Sequence, residues 1–92
     1  MLNELAAYIA VLNDSASRTS RAEDRAAYTR HLAAAARMFV AIDAGDHAEL
    51  MRIVAGEEHG YGWSFLDGAV GEAAEASFSA FATSVRSRAP AT

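Results

Sequence analysis

A chain of 92 residues without cysteine makes a single domain with a thin core, and neither a disulfide nor thiolate-bound zinc can staple it. The formal net charge is −4, from twelve acids and eight bases. No apolar run approaches the ~20 residues needed to cross a bilayer, and no cation precedes Arg18, so neither a membrane span nor a signal peptide is written into the chain.

These exclusions predict a cytoplasmic protein held together by helix packing, with help from a second chain. Every base is an arginine and alanine fills 23 of the 92 positions, a composition that points to a GC-rich bacterial genome. Charge is unevenly placed. Residues 18–37 carry five arginines against Glu23 and Asp24, whereas residues 43–75 carry eight acids against Arg52 alone. Such segments can attract each other, within one chain or between two, but the plainer expectation is ordinary solvated helix surfaces, because exposed ion pairs are individually weak.

The first helix is expected over 1–14, because Leu2, Leu5, Ile9 and Leu12 recur at three- and four-residue spacing. Asn13, Asp14 and Ser15 compete for backbone hydrogen bonds and are expected to stop it. "DSASRTS" then reads as a polar connector.

The second helix is expected over 20–45. Ser20 and Glu23 form a capping-box pattern, and Gly45 can take the left-handed conformation that ends a helix. Its main stripe reads Tyr28, Leu32, Ala35, Phe39 and Ile42, with His31 and Met38 on the edge. The opposite side holds Glu23, Arg30, Ala34, Arg37 and Ala41. Four consecutive alanines, Ala33 to Ala36, leave the middle without a strong polar face, and such a helix is usually covered on more than one side.

Asp46 and Glu49 repeat the capping box, so the third helix is expected over 46–59 with Leu50, Met51 and Val54 inward. Gly56 weakens it by about 1 kcal/mol relative to alanine. Gly60 and Gly62 break the chain. The fourth helix is expected over 63–88, with Trp63, Leu66, Val70, Ala73, Ala74, Ser77, Phe78, Phe81 and Val85 on its stripe, and a short tail follows. Gly68 and Gly71 fall on its polar side beside Glu72 and Glu75, which suits a contact surface. No strand alternation lasts, so the fold class is all-α: a small bundle of about four helices, two long and two short, completed by dimerisation.

Several chemistries find little support. The third helix outlines the second half of a helix-turn-helix, but its Glu49, Glu57 and Glu58 would be repelled by phosphates. His31, His47 and His59 lack the spacing of a helix-borne metal site, so no metal and no cofactor is expected. No serine sits in a nucleophile elbow, and acids surround the glycines that might otherwise cradle a phosphate. No catalytic residue is assigned.

The stretch "GEEHGYGWSFLDG", Gly56 to Gly68, stands apart. Glu57, Glu58, His59, Tyr61, Trp63 and Asp67 gather acids, a group that titrates near neutrality and two large aromatics, and they are the candidate ligand-binding residues. The plainer account is a glycine corner between two helices. On an ideal helix Glu57 lies beside Leu50 and Val54, and Glu58 continues the face of Met51 and Val54, so two carboxylates extend an apolar stripe. The functional expectation is association: a homodimer or a protein–protein contact using the alanine-rich middle of helix two or the small-residue face of helix four. A ligand- or metal-binding module, or a weak enzyme, at the Glu57–Asp67 corner is the alternative.

Overall fold

The computed structural model describes residues 1–60 and 68–88, the side chains of 59, 60 and 68–71 excepted. Among these residues the chain is all-helical, with four helices and no strand: α1 (Leu2–Arg18), α2 (Ala22–Asp43), α3 (His47–Gly60) and α4 (Gly68–Ser87). None is long and apolar enough to cross a membrane.

The first helix continues four residues past its expected stop. Asp14 does not compete with the backbone; its carboxylate takes Arg18 one turn on, at 3.2 Å. That pair sits in the last turn, where a cation also complements the helix dipole. Ser15 is buried, and Thr19 N–H closes the end on the Ser15 carbonyl. The connector shrinks to three residues, Thr19 to Arg21.

The capping box at Ser20 does not form. Arg21 is the extended N-cap and has no side-chain cap. Its N–H donates to Thr19 Oγ1, Arg25 Nη1 donates to the Thr19 carbonyl, and Glu23 turns to the Arg21 guanidinium. The next two signals act as expected. Gly45 has φ +69°, Gly45 N–H donates to the Ile42 carbonyl and Asp46 N–H to the Ala41 carbonyl, the two bonds of a Schellman motif. Asp46 Oδ1 then accepts the Glu49 N–H at 3.1 Å and starts α3. Glu49 gives no reciprocal cap: its carboxylate pairs with Arg52.

Met1, Leu2, Asn3, Ile42 and Arg88 border one cleft, so α1 starts where α2 and α4 end and runs antiparallel to both. It packs extensively on each of them; α2 packs in turn on α3, while α3 and α4 barely touch. Leu5, Tyr8 and Leu12 of α1, Tyr28 and Met38 of α2, Leu50 and Val54 of α3, and Phe78, Phe81 and Val85 of α4 are buried together. Each contributes about 1.5–3 kcal/mol by leaving water. The Tyr8 and Phe78 rings meet at 5.2 Å between centroids, tilted by 60°. At the N-terminus the Met1 ammonium, followed by the Ser84 hydroxyl of α4, holds the Glu4 carboxyl below its ordinary range.

The inward face of α2 is rotated from the expected stripe. Its buried residues are Asp24, Ala27, Tyr28, His31, Ala34, Ala35, Met38 and Ala41. Leu32 and Ile42 are only half-buried and Phe39 is exposed. The reason is the neighbours. With α1 on one flank and α3 on the other, the small side of the helix, Ala34 and Ala41, turns in and admits Leu50 and Val54. In α4 the expected Ala74, Phe78, Phe81 and Val85 are buried, Ser77 is half-buried and Ala73 is exposed. The expected start of that helix over 63–67 lies outside the described residues.

Two glycines should respond to alanine with opposite signs. Nothing lies within 4 Å of a Cβ built on Gly56, an exposed helix position, so Gly56→Ala should stabilise by about 0.5–1 kcal/mol. A Cβ on Gly45 is equally uncrowded, but its φ of +69° should make Gly45→Ala cost roughly 1–2 kcal/mol. Urea melts followed by helical ellipticity check both.

Candidate functional site

The core is apolar toward the start of α1 and becomes polar toward the other end of the bundle. There, Ser15 of α1, Asp24 and His31 of α2 and Glu57 of α3 are all buried. Asp24 falls in the first turn of α2, which suits a carboxylate, and Arg21 Nε closes on it at 3.5 Å.

One polar contact in this layer joins two helices. His31 Nδ1 lies 2.5 Å from Glu57 Oε2, with the imidazole 1% and the carboxylate 5% exposed. The antiparallel α2–α3 hairpin explains the meeting: from the Gly45 turn the helices run back together, and residue 57 comes opposite residue 31. The contact is a hydrogen bond between groups 26 positions apart in sequence. Burying such a pair adds little net stability, but leaving one member alone is costly.

The candidate residues from the Gly56–Gly68 stretch therefore separate. Glu57 is drawn into the core, whereas the plainer account of a glycine corner left the acids in water. Glu58 does not extend the apolar stripe; it lies at the surface and reaches across to Arg86 of α4, one of the few ties between these helices. His59 belongs to the last turn of α3, and its side chain lies outside the described residues, as do Tyr61, Trp63 and Asp67. Among the described residues no three His, Asp or Glu side chains converge as metal ligands would.

Sequence reasoning missed His31 as the partner of Glu57. The signal was present on each helix separately: a histidine at the edge of one apolar stripe, and an acid within another.

On the surface, a cleft of about 320 Å³ between α2 and α3 is bordered by Arg37, Glu49, Arg52, Ile53, Gly56 and Glu57. A wider groove of about 550 Å³ runs between α1 and α2. Leu2, Ala6, Ile9, Ala10 and Phe39 border it, and no charged side chain does. Its rim carries unusual apolar exposure: Leu2 is 50% and Phe39 52% exposed, and Val40 on the neighbouring ridge of α2 reaches 65%.

No protein-family model, curated protein or solved structure matches the chain. The functional reading therefore rests on these surfaces and on the buried pair.

Proposed function

We propose that the protein works by association, and that it self-associates through the exposed surface of α2. The observation that supports this is the apolar exposure on that helix. Phe39 stands in water beside a groove that no charged side chain borders, while Val40, also exposed, borders a separate cleft with Ala36, Arg37, Asp46 and Glu49. Charge depletion around exposed apolar anchors is the compositional mark of an interface centre. The alanines that line the middle of α2 allow a second helix to come close. A homodimer is the smallest assembly that covers them, and a different protein with an apolar helix face would use the same surface.

Sedimentation at tens of micromolar should give a mass above the 9.7 kDa of one chain. Val40→Glu should weaken assembly by at least about tenfold, roughly 1.4 kcal/mol, because it places a charge in a desolvated contact. Its melting temperature as a single chain should be unchanged, since Val40 lies outside the core. A wild-type protein that sediments as one chain at every accessible concentration contradicts the reading.

A second reading, a small-ligand site, is supported by the α2–α3 cleft. Glu57 borders it, and Gly56 leaves open space in its wall. A thermal-shift screen of metabolites on the parent and on Gly56→Leu tests it. A ligand that stabilises the parent but not the variant is the expected result, and no stabilising compound is the contrary one.

A further inference from the structure

The third helix is held less firmly than its neighbours. Among the described residues its backbone lies along α2, barely approaches α4 and does not approach α1, whereas α1 packs on both α2 and α4. Its buried apolar side chains are Leu50, Ile53 and Val54, all aliphatic. The buried aromatic rings, Tyr8, Tyr28, Phe78 and Phe81, belong to the other three helices. Burial stabilises in proportion to apolar area, so α3 has the least to keep it in place.

The two ends of α3 differ. It starts at the Gly45 turn, where φ is +69° and no atom lies within 4 Å of a Cβ built on the glycine. Its last turn is tied down by side chains. Glu57 meets His31 of α2 at 2.5 Å inside the bundle, and Glu58 meets Arg86 of α4 at the surface. Gly56 comes just before these ties and lowers the helix's own stability. A helix of 14 residues released from its packing is marginal in water.

We propose that α3 is a latched element. It leaves the bundle as a unit from the Gly45 turn and unwinds, while α1, α2 and α4 stay folded, and the Glu57–His31 contact is the latch. Opening uncovers the small inner side of α2, Ala34 and Ala41, with Leu50 and Val54, and brings the buried pair to solvent. Such sub-global openings draw on the elements with the fewest buried contacts. The inner tie is the latch because breaking it removes a hydrogen bond from a buried site, whereas the Glu58–Arg86 pair already lies partly in water and contributes little. The device works within one chain and does not depend on how copies associate.

Native-state amide hydrogen exchange of the full-length protein tests this, under conditions where rates report opening equilibria. The Leu50, Ile53 and Val54 amides should exchange at least about a hundredfold faster than the slowest amides of α1, α2 and α4, and should respond less to urea, because their opening exposes only part of the surface. Phe78→Leu perturbs the Tyr8 contact between α1 and α4. It should speed the slowest amides of those helices about tenfold and leave the α3 amides unchanged, since that contact is the same before and after α3 opens. Glu57→Ala should speed the α3 amides by about tenfold or more. Gly56→Ala should slow them about two- to fivefold, and Arg86→Gln should change them by less than about threefold. If the α3 amides share the slowest rate and follow Phe78→Leu together with α1, the bundle is one cooperative unit and the proposal is overturned. If α3 opens separately but its amides ignore Glu57→Ala, the buried pair is not the latch, and that assignment is overturned.

Discussion

Replacing His31 by alanine should cost about 3–5 kcal/mol, a large part of the roughly 5–15 kcal/mol that a domain of this kind has in total. The substitution leaves the Glu57 carboxylate in the core, 5% exposed and without its imidazole. A buried carboxylate oxygen then lacks the hydrogen bond it had, and that loss is unfavourable. The reverse substitution is expected to be milder. Glu57→Ala leaves an imidazole that keeps another interaction, so its cost is that of one lost hydrogen bond, about 1–3 kcal/mol. His31→Gln, which keeps a donor near the carboxylate, should fall between the parent and His31→Ala. Replacing both partners, His31→Leu with Glu57→Met, should recover most of the loss, because well-packed apolar pairs often match buried ion pairs. Denaturant melts of the four variants settle the order. A His31→Ala protein as stable as the parent would show that the pair is not held in the core.

The second large effect contrasts two phenylalanines. Phe81 of α4 is fully buried, with its ring 6.5 Å from that of Phe78. Phe81→Ala should cost about 3–5 kcal/mol, because the thin core has little material to collapse into the cavity. Phe39 belongs to an equally regular stripe of α2 yet is 52% exposed. Phe39→Ala should change the stability of the single chain by less than about 1 kcal/mol. Its effect should appear instead as weaker assembly at micromolar concentration. Equal melts for the two variants would mean that Phe39 lies in the core and that α2 is rotated back toward the stripe read from sequence.

The sequence by itself determined the helical class and the signals that act within one turn of chain. Gly45 ended α2 and Asp46 began α3 as expected, because a left-handed glycine and a capping carboxylate need only their immediate neighbours. The buried positions of α4 were largely legible; on α1 Leu5 and Leu12 are buried as expected, but Leu2 is exposed, Ile9 is half-buried, and the buried Tyr8 and Ser15 lay outside the expected stripe. Local signals failed where another side chain near in sequence offered a better partner. Arg18 took Asp14 and prolonged α1. Glu23, expected to cap α2 with Ser20, was drawn off by Arg21.

Only the tertiary structure decided how α2 is turned. A helix of mostly alanine, with a weak apolar contrast around its circumference, has no strong preference for one face. The two helices that flank it choose, and they leave Phe39 and Val40 outside. The same choice carried His31 inward to meet Glu57. That pairing depends on a hairpin register spanning 26 residues, and no local spacing rule reaches so far.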